Sequence, residues 1–292
     1  MYTQFFGNYL LNEKLITPEQ LIDVMGSKKN TKIKLGLLAM NEGLMNSAQV
    51  EEVHAIQTRQ DKRFGDAAIE LGYLTKDQVD MLLSKQTPGY LLLGQAIIDK
   101  RYMRHHDFEK ALRDYNKKNS LTLEDATNDD LVKTSKLIDT LYDFNSIKNG
   151  SYYRDYIYLL INNLIRFIGS DFTPLKPELY DTSSSYKFVS QNINGKLSLS
   201  TAIFSGKEAL IPFSYRYIQE NLEDYDEYVI ASFQDFLNLH NGIFIVNMSN
   251  ERELELKLSP PVAVSDLNSQ MESYIIFPFR YTFGTIKFSL SL

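Results

Sequence analysis

Gly7, Gly36, Gly65 and Gly94 follow one another at a constant interval of 29 residues, and that interval governs what the first 115 residues can become. Each glycine is preceded by Phe or Leu (Phe6, Leu35, Phe64, Leu93). Leu15, Leu44, Tyr73 and Tyr102 recur in register, as do Leu21, Val50, Val79 and Phe108. A fourfold period of this length points to stacked supersecondary units, none of which can bury its apolar face alone.

Each unit reads as a pair of helices. In the third, Phe64, Ala67, Ala68 and Leu71 fall at helical spacing before Gly72, a residue suited to a helix C-terminus. Thr75-Lys76-Asp77-Gln78 then has the form of a capping box, in which a Thr hydroxyl and a Gln side chain satisfy each other's orphan backbone donors. Thr17-Pro18-Glu19-Gln20 repeats the device with Pro at the first helical position, and Asn46 with Gln49 supplies another.

Residues 63–86, RFGDAAIELGYLTKDQVDMLLSKQ, resemble the motif of the GspE/MshE N-terminal domain of secretion and pilus ATPases. Residues 34–57 form a preceding motif, with a five-residue spacer from Thr58 to Lys62. In members that bind cyclic di-GMP, two such motifs at that spacing do so. The resemblance therefore implies a ligand site on Lys34, Leu35, Gly36, Gln57, Arg63, Phe64, Gly65 and Gln86. Helix N-terminal N–H groups and Arg suit phosphate and guanine. The second motif departs from the pattern with Lys34 for Arg, a point charge in place of a planar fork, and with His54 for Leu. The other reading of these repeats is a protein-docking scaffold.

After Tyr115 the register ends in a polar break, Asn116 to Ser120, and residues 121–130 are acidic. Asp129 or Asp130 could cap a helix carrying Leu131, Ile138, Leu141 and Phe144, closed by Asn149-Gly150. The expected organisation is therefore a helical domain over 1–120, a helical connector over 121–150, and a second domain over 151–292.

The second domain has the pattern of an α+β fold with an antiparallel sheet and long helices. Helices are expected over Tyr153–Ile168, ending at Gly169, and over Gly206–Asn221, with Pro212 starting or kinking the latter. Strands are expected over 186–193 and 195–204 around the turn Asn194-Gly195, and over Ile243–Met248, Glu253–Leu258, Tyr274–Tyr281 and Thr285–Leu292. On a helix over Asp226–Asn241, Val229, Ile230, Phe233 and Leu237 share the buried face. Ala231, Asp235, Asn238 and Gly242 share the opposite one. An acid and an amide would thus project side by side between small residues, where another protein could approach.

This arrangement, Asp235-Phe236-Leu237-Asn238 followed by Gly242, together with the ending FRYTFGTIKFSLSL, resembles the CheC/CheX/FliY family of chemotaxis phosphatases. The family's signature is Glu-x-x-Asn on an exposed helix with Gly four residues later. Its fold has an internal pseudo-repeat; setting Gly169 on Gly242 puts Asn162 and Ile165 at the acid and amide positions, so one site remains, as in the CheX branch. The resemblance implies catalytic Asp235 and Asn238, homodimerisation through the C-terminal domain, and a phosphorylated CheY-like receiver as partner. The Mg²⁺ of the reaction belongs to that receiver, so no cofactor or metal of this chain's own is expected. Asp235 is one methylene shorter than the family's Glu. The functional expectation is a cytoplasmic signalling protein coupling a sensing module to aspartyl-phosphate hydrolysis. The alternative is a non-catalytic dimeric scaffold that binds regulators or motility and secretion proteins.

Composition narrows the field further. A net charge of −6, from 31 Lys and Arg against 37 Asp and Glu, offers no basic stripe for nucleic acid. No cysteine is present, so neither a disulfide framework nor a zinc-thiolate site is available. The richest apolar stretch, Tyr156 to Ile168, is interrupted by Asn162, Asn163 and Arg166, and no membrane insertion is expected. His105-His106 point to different helix faces, which is poor geometry for a metal, and no Walker ATPase motif is present.

Overall fold

The computed structural model describes residues 2–27, 31–85, 89–118, 138–147, 149–179, 187–220, 222, 227–264 and 274–291. Gln86, Asp129, Asp130 and Leu131 lie outside the described residues. The chain divides into two compact units, Met1–Lys133 and Thr134–Leu292.

Among its described residues the first unit is helical: α1 (Tyr2–Asn12), α2 (Pro18–Ser27), α3 (Leu35–Asn41), α4 (Ser47–Gln60), α5 (Phe64–Glu70), α6 (Lys76–Ser84), α7 (Gly89–Asp99) and α8 (His105–Lys118). The capping boxes form as written in the sequence. Thr17 pairs reciprocally with Gln20, Asn46 with Gln49, and Thr75 with Gln78, each satisfying two orphan donors. Four turns share one geometry, with the left-handed residue at Lys14, Gly43, Gly72 and Arg101. At Gly72 the N–H donates to Ile69 O, and that of Tyr73 donates to Ala68 O, the Schellman pair of bonds.

Gly36, Gly65 and Gly94 each face the residue fourteen positions on. A Cβ on Gly36 would stand 2.8 Å from Val50 Cγ1 and 2.9 Å from Phe64 Cζ, and one on Gly65 would stand 3.2 Å from Val79 Cγ1 and 3.3 Å from Leu35 Cδ2. A Cβ on Gly94 would enter the Phe108 ring. The absent side chains let helices approach closely. Phe6, Phe108 and Tyr115 close the core as edge-on aromatic pairs at 5.2 and 5.9 Å.

The second unit is α+β. Helix α9 (Gly150–Phe167) precedes strands β1 (Phe172–Pro174), β2 (Glu178–Leu179), β3 (Lys187–Gly195) and β4 (Leu199–Ser205). Helices α10 (Lys207–Ile218) and α11 (Glu227–Arg252) lead to β5 (Leu256–Leu258), β6 (Val262–Val264), β7 (Ile275–Tyr281) and β8 (Gly284–Ser291). The strands form one antiparallel sheet in the order β1-β7-β8-β4-β3-β5, with β2 also on β7 and β6 also on β3. Ile286, Phe288 and Leu290 alternate into the core along β8, the period of two that a one-sided sheet requires. Helix α11 packs on β3, β4, β5 and β6 and is flanked by α9 and α10.

Several local expectations are corrected. Ile243–Met248 is not a strand: α11 continues through Gly242 to Arg252, because Phe244 and Met248, four residues apart, are both buried on its inner face. Asn149-Gly150 does not end a helix. Asn149 takes a left-handed conformation and Gly150 begins α9, packed so close to the Phe144 carbonyl that no Cβ fits. Of the two places expected for Pro212, the start of the helix and a point within it, it takes the second, inside α10. From the stretch read as a connector, residues 138–142 are helical; Tyr142 meets Phe277 of β7 edge-on at 5.2 Å, and Phe144 stacks on the same ring at 6.2 Å. No helix among the described residues is long and apolar enough to cross a membrane.

Candidate functional site

The exposed face of α11 carries the residues the helical wheel placed there. Val229, Phe233 and Leu237 are buried, while Ala231, Asp235 and Asn238 are exposed. Nothing lies within 4 Å of where a Cβ on Gly242 would stand, so the face stays open beside Asn238.

Neither polar side chain hangs free. Tyr217, near the C-terminus of α10, donates its hydroxyl to Asp235 Oδ2 at 2.6 Å, and its ring sits edge-on to Phe236 at 5.5 Å. Burial, with the Asp235 carboxylate as acceptor, pushes the Tyr217 hydroxyl above the usual phenol range, so it remains a donor. Asn238 is held from the other side. Gln191, buried on β3, donates Nε2 to Asn238 Oδ1 at 2.7 Å and to Ser259 O at 2.8 Å. Gln234, four residues before Asn238 on α11, donates to Pro261 O at 3.3 Å, so Ser259 to Pro261 form a rim beside the amide.

Behind the face lies a buried polar network. Asn241 Nδ2 donates to Gln191 Oε1 at 2.8 Å and to Thr201 Oγ1 at 2.9 Å, and the Tyr156 hydroxyl donates to Asn241 Oδ1 at 2.7 Å. A buried network that satisfies its members fixes side chains firmly, whereas an unpaired buried group would be costly. Neither Tyr217 nor Gln191 belongs to a recognisable sequence motif.

His240 is fully buried next to this network, with its Nδ1 3.0 Å from Asn163 Nδ2 and its ring edge-on to Tyr156 at 4.4 Å. Its Nε2 has no hydrogen-bond partner among the described residues. Burial pulls its pKa down to about 3, well below the ~6.5 of an unfolded chain. Between those values the unfolded state takes up a proton that the folded state refuses, so stability falls as pH drops through this window, by about 1.4 kcal/mol per unit. His240→Gln, which cannot titrate, is expected to make the acid limb of denaturant unfolding shallower by about that slope between pH 6 and 4. Parallel acid limbs for the two proteins would contradict this assignment.

In the first unit, the starts of α3 and α5 lie side by side, since Gly36 faces Phe64 and Gly65 faces Leu35. Arg63 is exposed, whereas the Lys34 ammonium pairs with Asp99 at 2.6 Å. Gln57 Oε1 lies 3.3 Å from His54 Nδ1, and His54 packs against Phe64 and His105 at 5.1 and 5.7 Å. Burial lowers the pKa of both histidines. No group of three or more His, Asp or Glu suited to a metal occurs among the described residues.

No protein-family model and no curated protein matches the chain. Among solved structures, it is similar to a CheC-like superfamily protein from Shewanella sp. PV-4, at 19% identity and TM-score 0.42, over 48% of this chain and 95% of that one. It is similar to the chemotaxis protein CheX from Vibrio vulnificus, at 16% identity and TM-score 0.42, over 48% of this chain and 98% of that one. A chain of the CheX–CheY–BeF3–Mg²⁺ complex from Borrelia burgdorferi is similar at 17% identity and TM-score 0.42, over 48% of this chain and 96% of that one.

Proposed function

We propose that the second unit hydrolyses the aspartyl phosphate of a CheY-like response regulator, with Asn238 at the reacting atoms and Asp235 as the docking acid. The observation that carries this reading is the exposed pair, Asp235 and Asn238, on one open face of α11, with the amide held by Gln191. Such a face can enter another protein's active site.

In the proposed reaction, water attacks phosphorus in line and the acyl-phosphate O–P bond breaks. The receiver's aspartate leaves as carboxylate, and the water proton passes to the phosphate or solvent. The receiver supplies the Mg²⁺ and the phosphoryl group. Asn238 orients the water or a phosphoryl oxygen, and Asp235 pairs with a cation of the receiver. Catalysis here is positioning and electrostatics, with no nucleophile from this chain.

For the first unit we propose four copies of one helical pair and a docking or cyclic di-GMP site on Lys34, Leu35, Gly36, Gln57, Arg63, Phe64, Gly65 and Gln86. The adjacency of the α3 and α5 starts and the exposed Arg63 support it. A homodimer through the second unit and a cytoplasmic location complete the reading. The non-catalytic scaffold is favoured instead by the engagement of Asp235 with Tyr217, which the receiver's cation would have to displace.

Titration of the full chain against receiver domains, with and without beryllofluoride and Mg²⁺, tests the partner. Binding at least tenfold tighter to the activated form of one receiver is expected. Equal or absent binding across the panel would overturn the assignment.

A further inference from the structure

Main-chain carbonyls can only accept hydrogen bonds, and two of them fix the polarity of the whole network behind Asn238. Ser259 O, 2.8 Å from Gln191, requires a donor there, which identifies that atom as Nε2. Gln191 O, 2.8 Å from Thr201 Oγ1, requires the Thr201 hydroxyl to donate to it. With its hydrogen spent, Thr201 Oγ1 must accept from Asn241, which identifies that atom as Nδ2. The second hydrogen of Asn241 Nδ2 then meets Gln191 Oε1. The two carbonyls, reached by different routes, agree on the orientation of Gln191.

The remaining hydrogen of Gln191 Nε2 therefore points at Asn238, 2.7 Å away, and the atom that receives it is Oδ1. Asn238 Nδ2 is left facing outward, with no hydrogen-bond partner among the described residues. Gln191 and Thr201 are cross-strand partners in the β3–β4 ladder, and Asn241 lies one helical turn from Asn238 on α11. The orientation is thus built into the packing of the helix on the sheet.

We infer that Gln191 is a positioning residue that locks the Asn238 carboxamide with its Nδ2 outward, so that the site offers the receiver a hydrogen-bond donor. The inference rests on the phosphatase reading above for its catalytic consequence, though not for its geometry. An amide free to rotate would present oxygen or nitrogen, whereas the locked one presents two N–H groups to the phosphoryl oxygens or to the lone pair of a water. Gln191 itself touches no substrate.

Three substitutions and one spectrum test it. Gln191→Met keeps the shape and removes the donor; kcat is expected to fall about 10- to 100-fold with KM within about twofold, the pattern of a misplaced reacting group. Gln191→Glu, which when ionised offers only acceptors, should lose at least as much. Asn238→Asp still accepts from Gln191 but presents no N–H outward, and should be as inactive as Asn238→Ala. In the folded proteins, full activity of Gln191→Met or of Asn238→Asp would overturn the inference.

The spectrum requires no variant to be active. The Asn238 side-chain amide should give a rigid ¹⁵N order parameter in the wild-type chain, near that of ordered backbone, and a lower one in Gln191→Met. A mobile Asn238 amide in the wild type would overturn the inference even if both Gln191 variants fail to fold. A rigid amide loosened by Gln191→Met in a chain that accelerates no receiver's dephosphorylation would support the positioning role while removing the phosphatase reading.

Discussion

Gly94→Ala is expected to destabilise the first unit by about 2 kcal/mol net, although alanine is the better helix former. Propensity favours the substitution by about 1 kcal/mol. Packing opposes it more strongly. The new Cβ would enter the Phe108 ring, whose third-nearest atom to that position is still only 2.9 Å away. The ring has no room to retreat, because Phe108 is fully buried and meets Phe6 edge-on at 5.9 Å. Overpacking of a tight core costs roughly 1–3 kcal/mol and occasionally more. Amide exchange of α7 and α8 reads this unit directly. A Phe108→Leu background should remove most of the penalty, since the pair is in contact and its effects will not add. Unchanged or raised protection in Gly94→Ala would contradict the packing described.

The parts of this fold that were legible in the sequence are those set by local physics. Capping boxes at Thr17, Asn46 and Thr75 involve residues three apart, so their chemistry is written in one turn of chain. The exposed placement of Asp235 and Asn238 followed from helical geometry alone. Where tertiary packing decides, local signals misled. Ile243, Phe244, Ile245 and Val246 have the composition of a strand, and Gly242 that of a helix end. Yet α11 runs on because Phe244 and Met248 have a core to enter. Gln191 and Tyr217 were invisible as site residues because their contacts span 47 and 18 positions and depend on how strand and helices pack against α11.

The second large effect lies at Asn238. Asn238→Ala is expected to lower the rate of receiver dephosphorylation by about 10²-fold or more, comparable to removing one preorganised polar group from a transition-state site. Affinity for the activated receiver should change by less than about fivefold, because the docking acid Asp235 is untouched. Folding should survive as well. Asn238 is exposed, and Gln191 Nε2 keeps its bond to Ser259 O after the truncation but loses its second acceptor, so a stability loss of about 1 kcal/mol is expected. A variant that loses binding and activity together would place Asn238 in docking rather than in the chemical step.

The most direct test of the account is the lifetime of aspartyl phosphate on a panel of receiver domains, followed with and without the full chain. At least one receiver is expected to lose its phosphate faster in proportion to added protein, with Asn238→Ala showing no such effect. Decay that is unchanged by the wild-type chain for every receiver, including any it binds in the activated form, would contradict a phosphatase and leave a binding protein.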